Sequence, residues 1–159
     1  MQSSEATALR SLLENQQVAA LATLHKGEPA VSMVPYALLP QGQGLVIHVS
    51  QLAAHTKDML ANPAVGVLVV ATPTPAIPVQ ALPRVSIQGQ ARQCLSSAPE
   101  YSQASQLYLS RFPQSEQMFG FADFSLFVIT IHSARFVGGF AQAASVTAER
   151  YLGIMSADP

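Results

Sequence analysis

The chain has 159 residues, of which 11% are charged, and a formal net charge of −1. An average soluble domain carries roughly 25% charged residues. A chain this neutral has no broad electrostatic footprint for a nucleic-acid backbone, and its 49% hydrophobic content excludes disorder.

The first element is a helix over residues 3–16. Ser3 or Ser4 is placed to cap it, Glu5 lies in its first turn, and Ala6, Leu9, Leu12 and Leu13 recur at helical spacing. Residues 18–24 form an apolar strand. Lys26 and Gly27 turn the chain, and residues 30–38 return as the second strand of a hairpin. A further turn at 40–44 leads to a third strand, 45–50, which alternates cleanly. Leu45, Ile47 and Val49 share one face; Val46, His48 and Ser50 share the other. A short helix over 52–61 stops at Asn62-Pro63, because a residue before proline avoids helical geometry.

The valine-rich segment 64–71 predicts a strand buried on both faces, followed by a proline-punctuated loop at 72–78. Residues 82–94 predict a strand with Arg84, Ser86 and Gln88 on one side and Val85 and Ile87 on the other. Ser97 and Glu100 have the spacing of a capping box for a helix whose inner stripe is Tyr101, Ala104, Leu107 and Tyr108. Residues 124–132 and 135–140 predict two more strands, and the tail carries a short helix near 147–152. Antiparallel strands joined by tight turns, followed by strands separated by helices, give a single domain of α+β class, mainly β.

The charges are unevenly spread. Over residues 29–83 the charged side chains are Lys57 and Asp58. A compact monomer of this mass exposes on the order of 7,700 Å², so part of that stretch must reach the surface. Uncharged surface of this extent predicts a subunit interface, and a homodimer is the expected partner arrangement. No apolar run reaches the ~18 residues of a membrane span; the segment 64–71 is interrupted by Gly66. The N-terminal residues lack a signal-peptide layout, and the lone Cys94 has no partner for an intrachain disulfide. A reducing, cytoplasmic setting is the expectation.

Nucleotide-binding loops and nucleophile elbows are missing: Gly42-Gln43-Gly44 lacks the third glycine of a dinucleotide fingerprint. His25, His48, His55 and His132 lie at no metal-ligand spacing, so no metal site is expected. The chemically suggestive segment is Ser50-Gln51-Leu52-Ala53-Ala54-His55-Thr56-Lys57. A strand end that feeds a helix start presents free backbone N–H groups, Thr56 adds a donor, and Lys57 adds charge; together they suit phosphate. The bland alternative is a solvated helix face. Arg84 must reach an anion, an acceptor or water. Its competing reading is a structural arginine at a barrel rim. His48 lines either the same pocket or the core. Asp123, between Phe121, Ala122 and Phe124, needs a partner; that partner is a turn amide or a histidine such as His55 of a second copy. Cys94 reads as a small core filler, His25 as exposed, and His132 receives no role.

The order of motifs carries a resemblance. Leu21-Ala22-Thr23-Leu24, Gly27-Glu28-Pro29 and Ser32-Met33-Val34-Pro35-Tyr36 open it. Ser50 through Thr56 with Asn62-Pro63, then Pro83-Arg84-Val85 and Gln88-Gly89, continue it. Gly120-Phe121-Ala122-Asp123-Phe124 and Ala134-Arg135-Phe136-Val137-Gly138-Gly139-Phe140 close it. Across residues 18–140 this resembles the pyridoxamine 5′-phosphate oxidase-like FMN-binding split barrels, and within them the haem-utilisation subgroup. The resemblance implies a six-stranded antiparallel split β-barrel with short flanking helices. Residues 1–17 would form the N-terminal helix and 141–159 a tail. Two copies would enclose FMN in clefts at their interface.

Carried over by position, the phosphate would meet Ser50, His55, Thr56 and Lys57. Ser32, Val34, Tyr36, His48 and Val49 would line the flavin, and Arg84 would contact its ring system. Phe121 and Asp123, with Arg135 or Phe136, would come from the other subunit. Ser32 and Ala54-His55 stand where typical oxidases of the family carry basic residues, and their C-terminal Arg-Leu-His segment is absent. The implied function is therefore an FMN-dependent oxidoreductase acting on a small molecule other than pyridoxamine 5′-phosphate. The alternatives are a haem-binding or haem-degrading protein on the same fold, and a non-catalytic flavin-binding module. Haem-degrading members use a histidine in a C-terminal extension, and no histidine follows His132 here.

Overall fold

A computed structural model describes residues 1–157. Helix α1 spans Ser3–Asn15 and strand β1 Val18–His25. The helix cap is Gln2 rather than a serine: its backbone N–H donates to Glu5 Oε2 at 2.7 Å. Lys26 and Gly27 take φ of 52° and 83°, the left-handed pair that a two-residue hairpin turn demands. Strand β2 then runs over Glu28–Pro35, paired with β1 along its whole length.

The expected strand at 30–38 divides at Tyr36. Proline has no N–H for a ladder, and beyond Pro35 the Tyr36 amide turns to the Gln17 carbonyl at 3.1 Å. The chain resumes as β3, Ala37–Leu38, which pairs with β4, Leu45–Ser50. Helix α2 covers Ala54–Ala61, β5 Ala64–Val70, and β6 Arg84–Cys94. Helix α3 covers Tyr101–Arg111, and a 3-10 segment follows over Pro113–Gly120. The two strands expected at 124–132 and 135–140 are one strand, β7, Phe124–Gly139. The tail holds β8, Gln142–Thr147, and helix α4, Ala148–Ser156.

The sheet runs β2-β1-β5-β6-β7-β4-β3, with β8 alongside β7. The path therefore has seven strands and not the six expected, because the second one splits at Pro35. Its two end strands, β2 and β3, are consecutive in the chain, so the sheet curls back on itself as a half-barrel. The main core lies inside the curl. Leu9, Leu12 and Leu13 of α1 and Tyr151, Ile154 and Met155 of α4 pack there against Leu21, Ile47, Val67, Ile87 and Phe127. Tyr36 is fully buried in this core, and its hydroxyl donates to the Leu13 carbonyl at 2.7 Å. Burial pushes the Tyr36 phenol up to about 12.

A second cluster covers part of the outside. Ala104, Tyr108 and Phe112 of the α3 region pack on Val46, Leu126 and Val128. That explains why both faces of β4 are buried. The Ser97–Glu100 capping box does not form. Glu100 itself occupies the cap position in helical geometry, and its carboxylate accepts from Arg92 Nη1 at 2.6 Å. Strand β5 is buried on one face and not on both: Val65, Val67 and Val69 point inward, while Leu68 is exposed.

Candidate functional site

The outer face left uncovered by α3 is a wall of small and neutral residues. One row across six strands reads Val31, Ala22, Gly66, Gln88, Ser133 and Thr147; the next reads Met33, Ala20, Leu68, Ser86, Arg135 and Ser145. Val31 and Met33 are 74% and 62% exposed. Arg84 on this face donates to the carbonyls of Gln80 and Leu82 at 3.1 and 3.0 Å, while Arg92, further along β6 on the α3 side, is paired with Glu100. Arg135 is exposed and donates to the Ser145 hydroxyl at 3.4 Å.

Two open clefts lie on this wall. The first, about 410 Å³, is floored by Ala22, Leu24, Pro29, Ala64 and Gly66. The second, about 490 Å³, is lined by Ser86, Ser133, Arg135, Ser145 and Thr147. Gln88 and His132 line both. Between Gln88 and Gly89 the β6–β7 register shifts, because Gln88 pairs with Ser133 and Gly89 with Ile131. His132 is the extra residue of that bulge, and its neighbour Ser133 also lines the outer side. Gly89 is required opposite it: a Cβ there would collide with the Thr130 carbonyl.

The residues singled out in the sequence fall into separate places. Val34, Tyr36 and Val49 belong to the main core. Ser32 sits beside them on β2, and its hydroxyl is buried without a hydrogen-bond partner. His48 stands on the opposite face of β4, stacked on Phe119 and flanked by Tyr108 and Phe124. Burial there lowers its pKa to about 4, so it is a neutral aromatic. At the end of β4, Ser50 ties the turn together. Its hydroxyl donates to Asp123 Oδ2 at 3.4 Å and accepts from the Leu52 amide at 3.1 Å, while its carbonyl accepts from Thr56 Oγ1 at 2.6 Å. Thr56 is 1% exposed and its hydroxyl proton is committed to that bond. Lys57 and Phe121 are exposed, and His55 is half-buried, which lowers its pKa. Asp123 thus finds Ser50 of its own chain. The structure brings Ser50, Thr56 and Asp123 together and holds Arg84 elsewhere, on its carbonyls.

Sequence reasoning missed one tight constellation. Asp58 is 5% exposed and accepts from Thr23 Oγ1 at 2.9 Å and from His25 Nδ1 at 2.7 Å. The bond from His25, above all, holds the Asp58 carboxyl below the usual range. This clamp fastens the β1–β2 hairpin to α2. Among the described residues no group of three or more His, Cys, Asp or Glu side chains is arranged to hold a metal ion, and no helix is long and apolar enough to cross a membrane.

A mainly-β half-barrel of curled antiparallel strands is consistent with a split barrel of the pyridoxamine 5′-phosphate oxidase type. The profile of that family, pyridoxamine 5′-phosphate oxidase, matches residues 6–138, and the chain belongs to it. The chloroplastic non-canonical heme oxygenase HOZ of Arabidopsis thaliana is 31% identical over 138 residues, 85% of this chain. The chain spans 40% of that relative's length. The structure of a heme binding protein from Mycobacterium smegmatis superimposes with a TM-score of 0.84 at 28% identity, covering 96% of this chain and 62% of the other. HutZ, the heme storage protein of Vibrio cholerae, shares the fold: its TM-score is 0.71 at 21% identity, over 79% of this chain and 89% of its own.

Proposed function

We propose that this chain is a haem-binding protein that works as a homodimer in haem handling. The likeness to the Arabidopsis and mycobacterial proteins carries the reading. The chemistry of the outer wall fits it. Haem needs an apolar surface for its ring, a cation or hydroxyls for its carboxylates, and a ligand for its iron. The first cleft supplies apolar contacts from Ala22, Leu24, Pro29 and Ala64 beside Thr23 and Gln90, and the second supplies Arg135 and four hydroxyl side chains. When bound, haem supplies iron redox and oxygen chemistry. The protein's part is to exclude water from one face of the ring and hold its acidic edge.

The same wall supports the dimer reading. The described subunit exposes 8823 Å², more than the roughly 7,700 Å² of a compact monomer of this mass. Val31 and Met33 stand out on the edge strand β2, and their neighbours across the next two strands, Ala22, Gly66, Ala20 and Leu68, are uncharged. A second copy covering this wall would bury those side chains and close the open side of the clefts.

FMN binding is the second reading. The observation that favours it is the orphaned Ser32 hydroxyl, a buried donor awaiting an acceptor. Against it, the proposed phosphate turn has Lys57 as its one cation, and the Thr56 donor is already used. Parallel titrations with haemin and FMN distinguish the two readings.

A further inference from the structure

We propose that His132 is the axial ligand of the haem iron and that Arg135 holds a haem carboxylate; this rests on the haem reading above. The chain's four histidines differ in what they offer. His48 is enclosed by aromatic rings, His25 has Nδ1 committed to Asp58, and His55 is half-buried on α2. None of these three lines either cleft. His132 lines both, is exposed, and stands where the two clefts meet.

The local backbone is built for that placement. In a regular strand, Ile131, His132 and Ser133 would alternate in and out. The bulge opposite Gln88 and Gly89 turns both His132 and Ser133 to the outer side. Bulges bend a strand and re-aim a side chain, and this one sets an imidazole in the lining of a cleft shared with Ala22, Leu24, Pro29, Gly66 and Gln90. A neutral imidazole nitrogen is a strong ligand for haem iron. Arg135 lies on the same strand within the second cleft, with a guanidinium suited to a carboxylate. The two clefts meet at Gln88 and His132, so a ligand spanning both would carry its centre past the imidazole and one edge toward Arg135.

The test is haemin titration of wild type, His132→Ala, Arg135→Ala and His55→Ala, read by the Soret band and by the ferric spin-state spectrum. Circular dichroism checks the fold of each variant; His132 is exposed, so the fold should persist. The expected result for His132→Ala is a displaced Soret band, an affinity lower by about tenfold or more, and recovery of the original spectrum on adding free imidazole. Arg135→Ala should weaken binding and leave the iron spectrum unchanged, and His55→Ala, outside both clefts, should match wild type. If wild type binds haemin and His132→Ala gives the same spectrum, the ligand assignment is wrong while haem binding stands. If wild type gives no Soret complex, the assignment falls together with the haem reading.

Discussion

His48 lies flat on Phe119, with ring centroids 3.8 Å apart and an interplanar angle of 12°. The stack seals the outer side of β4 beneath the 3-10 segment. It also disfavours charge on the imidazole, and burial lowers its pKa from 6.5 to about 4. Between those values the unfolded chain binds a proton that the folded protein refuses. Stability is therefore greatest above pH 6.5 and falls as pH drops toward 4, by on the order of 1–3 kcal/mol. Half-buried His55 contributes in the same sense. Denaturant unfolding at a series of pH values should show this slope, and His48→Phe should flatten most of it. An unchanged slope would place the pH dependence elsewhere.

The Asp58 clamp acts in a lower window. Its carboxyl is held below the usual range by His25, so its contribution is present above that range and is lost as pH falls through the folded value. Removing the donor with His25→Ala should move the acid-unfolding midpoint to higher pH. A midpoint at or below that of wild type would show that the hairpin does not depend on this bond.

The bulge depends on Gly89, since any side chain there meets the Thr130 carbonyl. Gly89→Ala should cost about 1–3 kcal/mol, as overpacked sites do, and should disturb the outer wall around His132. Thermal unfolding measures the first effect. A variant as stable as wild type would mean that β7 yields freely at this point.

The dimer is tested at β2. Val31→Lys with Met33→Glu places charge on an exposed apolar edge and leaves the core untouched. Light scattering should give a dimer for wild type and a folded monomer for the double variant. A wild-type mass of 16.9 kDa would contradict the proposed assembly.

Much of the barrel was legible because its inner face repeats every second residue. Leu45, Ile47 and Val49 were assigned to one face by alternation alone, and all three lie in the main core. The family motifs fixed the order of elements. What failed depended on partners distant in sequence. Strand β5 reads as doubly buried because valine fills it, yet its outer face lies on the bare wall. Strand β8 was missed because Ala143, Ala144 and Ser145 carry little strand preference. Adjacent polar residues at His132 and Ser133 look like a strand end, whereas they mark a bulge within a continuous strand. The clamp joins Thr23 and His25 to Asp58 across more than thirty residues, beyond any local pattern. Of the expected site, Ser50, Thr56 and Asp123 do meet, while Val34, Tyr36 and Val49 fill the core.

The central claim is that this chain takes haem in preference to flavin. Purified protein titrated in parallel with haemin and with FMN, each followed by absorbance, tests it most directly. The account predicts a saturable Soret complex with one haem per subunit at micromolar haemin, and FMN binding that is weaker by at least about tenfold, a difference of about 1.4 kcal/mol. Tight FMN binding with no Soret complex would contradict it.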